Sequence, residues 1–425
     1  LLEKLVIDRN ETVSSSYAVA AGYIARGASD KAILRLVAFS KKLYFESDGD
    51  REAVTPRKSL TAGELMLALA KHSSDRFNNL ASSILPFIFV AKHDSNKTVK
   101  EQFHNTWEEA VAGSRAVLLY LNEILTLADT HLDSAQWVLK QTAARTVADA
   151  VMSVASSDNG ISPDTAKVLW PSLEKALGGK TWEGKEVVLG AFVKFVQTAK
   201  TWYLKEANVA DAITKIAVRE AKRQNVAYRP HALKTVAQVA DARDDIEISK
   251  TVLGIVKDLF DGDLEGDKMD VDEDAAKASK DNEVRDNTLA AAVEAVFSSV
   301  KPDLLKPDNV RSAMLAALTQ ADRLSHPGVV IRKALYTSLA KLFGRLNADK
   351  SSPASEDSEV VATVKHLLFR AEGGSEALRL LRADAVVAAS KFSSRLVAEI
   401  GTQISDEAAA EASPTVRDRL RLALG

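Results

Sequence analysis

Amphipathic helical segments recur along this chain at a nearly constant interval, and that interval constrains the fold more than any other feature. The unit is clearest in residues 164–200, DTAKVLWPSLEKALGGKTWEGKEVVLGAFVKFVQTAK. Pro163 and Asp164 suit the start of a first helix, where a missing N–H costs nothing and a carboxylate meets the positive helix end. Val168, Leu169, Leu173, Ala176 and Leu177 then share one stripe at helical spacing. Gly178 and Gly179 end that helix, since glycine accepts the left-handed conformation of a C-terminal cap. A second helix is predicted from about Trp182, with Val188, Phe192, Phe195 and Val196 on its apolar face. Neither face can leave water alone, so each helix must pack on its mate and on a neighbouring pair.

The pattern runs through the whole chain. Second helices of successive pairs are predicted to begin near positions 13, 56, 99, 137, 182, 227, 284, 330, 376 and 416. The intervals are 38–46 residues, with one exception of 57. Helix-pair solenoids of the HEAT and armadillo type repeat at about 40–47 residues, whereas tetratricopeptide and ankyrin arrays repeat near 33–34. Several pairs also place a capping residue ahead of an apolar residue and a cation: Asp94 with Val99 and Lys100, Asp308 with Val310 and Arg311, His326 with Ile331 and Arg332, and Pro414 with Val416 and Arg417. In such an array the acid caps one helix while the cation reaches along the stack. The fold class expected is therefore all-α, an α-solenoid of stacked antiparallel helix pairs. Nine to ten pairs spaced about 10 Å apart would span on the order of 90–100 Å.

Composition agrees. The chain is 46% apolar but only 6% aromatic, which favours closely packed helices with small residues between them. A formal charge of −2 provides no global field toward nucleic acid or anionic membrane. The absence of cysteine removes disulfides, thiolate metal sites and cysteine nucleophiles. No apolar run reaches the length of about 18 residues needed to span a bilayer, and no membrane insertion is expected. The chain starts inside an apolar segment, LLEKLVI, which suggests a portion of a longer polypeptide.

The one break in the periodicity is residues 258–274, DLFDGDLEGDKMDVDED, with nine carboxylates and one lysine. Too little apolar material is present there to fold. The chain is accordingly divided into a first solenoid part at 1–257, an acidic, disordered inserted loop at 258–282, and a second solenoid part at 283–425. The acidic run would keep the array soluble, would meet a basic partner surface, or would be a phosphorylation-regulated linker. It lacks the spacing and closing glutamate of a calcium loop.

Motifs for catalysis fail on inspection. GGKT at 178–181 has Glu174 where a phosphate-binding loop needs its first glycine, and it follows a helix rather than a strand. The seven histidines (72, 93, 104, 131, 231, 326 and 366) show no metal-ligand spacing on one helix face, and are expected in turns or on the surface. No serine lies in G-x-S-x-G. No cofactor, metal or small-molecule substrate is expected, and the chain is read as a non-enzyme.

Two features suit binding. All five tryptophans (107, 137, 170, 182 and 202) lie in one central block, where they fill gaps between helices or anchor a partner. Lys215, Arg219, Lys222, Arg223, Arg229 and Lys234 form the densest basic cluster. The cluster is either a solvated face or a docking patch for an acidic protein; aromatic interleaving for nucleic acid is absent, and no nucleic acid is expected. Lys215, Arg219, Lys222, Arg223 and Arg229 are the candidate protein-binding residues.

Three blocks carry something more specific: LPFIFVAKHDS, the run TWEEAV followed by GSRAVLLYL, and GKTWEGKE. Together, in residues 84–124 and 172–192, they resemble the C-terminal part of the large HEAT-repeat proteasome adaptor and scaffold family. The resemblance covers about residues 80–200 and does not extend to the acidic run. It implies stacked HEAT repeats within a longer protein, located in cytoplasm and nucleus. The implied partners are core-particle and regulatory-particle subunits of the proteasome, which the protein would link, contributing to assembly or quality control. The family supplies no catalytic residue. An importin-like transport receptor, also a HEAT solenoid, is the alternative, but no asparagine ladder is present.

Overall fold

A computed structural model describes residues 6–8, 10–46, 56–111, 115–157, 160–261, 275–324, 328–348, 353–369 and 374–425, the side chains of 275–279 excepted. Among these residues the secondary structure is α-helix with two short 3-10 turns, Pro302–Leu304 and Pro353–Glu356, and no strand. The chain forms two compact units, Leu1–Glu206 and Ala207–Gly425.

In the first unit the second helices of the pairs make one layer: Glu11–Ala25, Arg57–His72, Lys97–Ala110, Trp137–Ala155 and Glu186–Thr198. The first helices make the other: Asp30–Phe45, Ala81–Ala91, Leu121–Leu132 and Pro163–Leu177. In the layer of first helices, the first layer, each helix packs on the next; in the second layer, Trp137–Ala155 packs on Leu121–Leu132, Pro163–Leu177 and Glu186–Thr198 together. Being covered on several sides, this helix needs small residues: Ala143, Ala144, Ala148 and Ala150 are buried beside Leu139, Val147, Val151 and Val154. Gly22 shows how close the approach becomes, since a Cβ there would lie 2.5 Å from the carbonyl oxygen of Ala68 on the neighbouring helix.

The second unit repeats the scheme. Arg229–Ala242, Ala275–Ser299, Val329–Leu346, Glu376–Phe392 and Pro414–Arg421 form one layer, each packed on the next. Ala207–Ala221, Ser249–Asp261, Pro307–Asp322, Ser358–Leu368 and Ser394–Ala410 form the other.

Of the predicted capping residues, Asp308 and Pro414 lie inside the first turns of their helices, whose N-caps are Lys306 and Ser413; the side chains that cap are others. Asn10, Ser29, Asn96, Ser162, Asp357, Ser375, Ser393 and Ser413 each accept a backbone N–H of the first turn. In the 94–100 turn the cap is Asn96; Asp94 is buried, accepting the Asn96 N–H at 2.8 Å and the Tyr44 hydroxyl, from the preceding pair, at 2.6 Å. Arg311 reaches the cap of the next first-layer helix, Asp357, as the stacking argument requires. His326 lies outside the described residues.

Three expectations shift in detail. The apolar spacing also predicts continuous helices over 75–91 and 114–131, and these are broken at Leu80 and Tyr120, where the backbone leaves helical geometry. The helix expected from Trp182 begins at Glu186, because the positive φ of Gly184 (100°) holds residues 182–185 in a turn. Helices also occupy both ends of the 258–282 stretch, one running to Asp261 and the next beginning at Ala275 rather than near 283. Residues 262–274, most of the expected acidic loop, lie outside the described residues.

Candidate protein-interaction surface

Helix Ala207–Ala221 buries Ile213, Ile216, Ala217, Glu220 and Ala221. A glutamate on that stripe would lose its hydration without compensation, so it must find donors. Arg219 donates from Nε to Glu220 Oε1 at 2.8 Å, Arg223 Nη2 lies 3.5 Å from the same oxygen, and the Tyr228 hydroxyl donates to Oε2 at 2.9 Å. Burial, then the adjacent carboxylate, push the Tyr228 phenol pKa up, so it remains a donor.

The five candidate cations therefore divide. Lys215, Arg219 and Lys222 are exposed and follow one another at four- and three-residue steps along one helix face. Arg223 is turned toward Glu220, and Arg229 points Nη2 at the Ile255 carbonyl, 3.5 Å away. Lys234, on the next helix of the second layer, is exposed. Sequence reasoning grouped the cations by density and missed the carboxylate that organises two of them. The signal was present: Glu220 continues the apolar spacing of Ile213, Ile216 and Ala217.

The diagnostic blocks of the first unit converge on one helix, Trp137–Ala155. From KHDS, Lys92 Nζ lies 2.9 Å and His93 Nε2 3.1 Å from Asp149 Oδ2, while Lys92 also sits over the rings of Phe89 and Trp107 at 4.2 and 5.0 Å. Burial lowers the His93 pKa; it also works against the Asp149 carboxylate, but His93 and Lys92 hold that group well below the usual range. From GKTWEGKE, Trp182 packs under Arg145 at 5.0 Å, and Arg145 Nη2 donates to the Glu183 carbonyl at 3.2 Å. Lys185 is fully buried, with Nζ 3.5 Å from the Gly178 carbonyl that ends helix Pro163–Leu177. Gly179 and Gly184, at φ 73° and 100°, make the turn that allows this. The GGKT glycines thus cap a helix.

His93 lies half-buried in the turn after helix Ala81–Ala91, with Asp149 facing it from another helix. His72 stacks on Tyr23 and His131 on Phe45. Among the described residues no group of three or more histidine and acidic side chains could hold a metal, and no helix is long and apolar enough to cross a membrane. Trp107 and Trp170 are core residues, Trp182 and Trp202 are half-buried, and Trp137 is exposed at the start of its helix.

Antiparallel helix pairs in two layers, bonded to the pairs before and after them, define an α-solenoid repeat protein of the HEAT and armadillo class. A family model described as ECM29, C-terminal ARM-like repeats, matches residues 196–425, and one described as Proteasome adapter and scaffold protein ECM29, HEAT-repeat domain, matches residues 1–45. The chain belongs to the ECM29 family. The two matched ranges flank the residues, 84–192, that carry the motif blocks. It is 26% identical over 65% of its length to Proteasome component ecm29 of Schizosaccharomyces pombe, of which the match covers 16%. To Proteasome adapter and scaffold protein ECM29 of Homo sapiens it is 27% identical over 59% of its length and 14% of that protein. The chain thus spans a small part of the curated relatives it matches. The crystal structure of an engineered protein matches all of this chain and 97% of its own at a TM-score of 0.50 and 14% identity, a likeness of fold alone.

Proposed function

We propose that this chain is a non-enzymatic adaptor segment that binds the proteasome, linking core-particle and regulatory-particle subunits and contributing to assembly or quality control. Its place of action in this reading is the cytoplasm and nucleus. The observation that carries the reading is family membership over residues 196–425, together with the adaptor and scaffold names of relatives. The architecture supports it: in a repeat array each pair contacts its neighbours and leaves other faces open for partners.

Affinity capture of the tagged chain from a eukaryotic lysate, with identification of the recovered subunits, tests this. Core and regulatory subunits together are expected. Recovery of one particle alone would remove the linking role, and recovery of a transport GTPase with cargo would overturn the adaptor reading in favour of the importin-like one.

A further inference from the structure

Exposed lysines also occur on the helix packed beside that of Lys215, Arg219 and Lys222. The next first-layer helix, Ser249–Asp261, packs beside Ala207–Ala221 and exposes Lys250, Gly254 and Lys257 at the same four- and three-residue steps. We propose that these two neighbouring cation stripes form a docking surface for an acidic polypeptide segment. The inference rests on the scaffold reading only in taking the partner to be a protein.

Charge complementarity carries the argument. Lys215, Lys222, Lys250 and Lys257 are exposed and make no ion pair among the described residues. The carboxylates of the same two helices do not cancel them. Glu220 is buried and taken up by Arg219, Arg223 and Tyr228. Asp261 is paired with Arg323, and Asp258 acts on Arg229. Asp211 remains against Lys215, Lys222, Lys250 and Lys257, Arg219 being spent on Glu220. Gly254 adds a shape argument: it is exposed in mid-helix, and a Cβ built on it meets nothing within 4 Å, so no packing among the described residues calls for glycine there. A bare position between Lys250 and Lys257 lets a partner backbone come close while the flanking ammonium groups reach its carboxylates. Phosphate ligands fit less well, because neither stripe interleaves aromatic side chains for stacking and Lys offers a point charge without the bidentate fork of arginine.

The test uses the whole chain and a fluorescent poly-glutamate peptide, read by anisotropy. Binding should weaken as salt rises, and the variant Lys215→Glu, Lys222→Glu, Lys250→Glu, Lys257→Glu should lose at least about tenfold in affinity. Arg219 and Arg223 are left intact because reversing them would strip the buried Glu220. A charge-matched variant, Lys31→Glu, Lys71→Glu, Lys167→Glu, Lys180→Glu, should bind like the parent, with circular dichroism showing the same helix content in all three. Equal loss in both variants, or no loss in the first, overturns the proposal. Tighter binding of single-stranded RNA or phosphatidylserine vesicles than of poly-glutamate overturns the partner class. Proteasome capture is scored separately: its failure with peptide binding intact sinks the adaptor reading and leaves this surface standing.

Discussion

Arg311 donates from Nε to Asp357 Oδ2 at 2.5 Å across 46 residues of sequence, and Asp357 Oδ1 meanwhile accepts the backbone N–H groups of Glu359 and Val360. One carboxylate thus starts its own helix and receives the cation of the pair before it. The two roles separate by mutation. Asp357→Asn keeps the cap and loses the ion pair, whereas Asp357→Ala loses both. Thermal unfolding should rank them parent, Asn, Ala in falling Tm; an alanine variant as stable as the asparagine one would show that the cap contributes nothing.

The Glu220 carboxylate is fully buried in the second unit. Glu220→Gln should destabilise by about 1–3 kcal/mol in urea unfolding, because donors arranged for an anion meet a neutral amide. Tyr228→Phe should cost less and should add little on top of Glu220→Gln, since the two act through one hydrogen bond. Additive losses would separate them.

Glycines in the first unit predict opposite signs. Gly184 sits at φ 100°, and a Cβ there would lie 2.7 Å from Arg145 Nη2. Gly184→Ala should therefore cost about 1–3 kcal/mol. Gly190 is exposed within helix Glu186–Thr198 with open space around a Cβ. Gly190→Ala should stabilise by roughly 0.5–1 kcal/mol. Chemical denaturation reads both, and a destabilising Gly190→Ala would contradict the packing described.

Acid should loosen the helix Trp137–Ala155 in two stages. His93 is held below its ordinary 6.5, so the unfolded chain takes up this proton first and stability falls as pH drops below about 6.5. Asp149 is held below its ordinary 3.8, so its contribution is present above that pH and fades as pH falls through the lower folded value. Hydrogen exchange in this helix, followed from pH 7 downward, should accelerate relative to the intrinsic rate, and His93→Gln should flatten the upper stage. A pH-independent protection factor in the parent would refute the coupling.

Much of the architecture was legible from local chemistry. Periodicity places the apolar stripes, Pro163 with Asp164 announces a helix start, and the near-constant interval between second helices identifies a repeat array. The boundaries that slipped, at Trp182 and Leu80, are places where backbone conformation rather than side-chain pattern sets the helix end.

What sequence alone determined is the repeating helix pair and its family, because helical period, caps and turn glycines act over a few residues and are written next to one another. Which charges are free and which are spent was settled by the tertiary structure. Lys92 and His93 meet Asp149 of the next pair only after the chain has run through Lys97–Ala110 and Leu121–Leu132, and Arg223 turns inward because packing takes Glu220 out of water. Desolvation and Coulomb attraction depend on distance through space, so the division of one basic cluster into an exposed stripe and a buried clasp existed only once the helices were stacked.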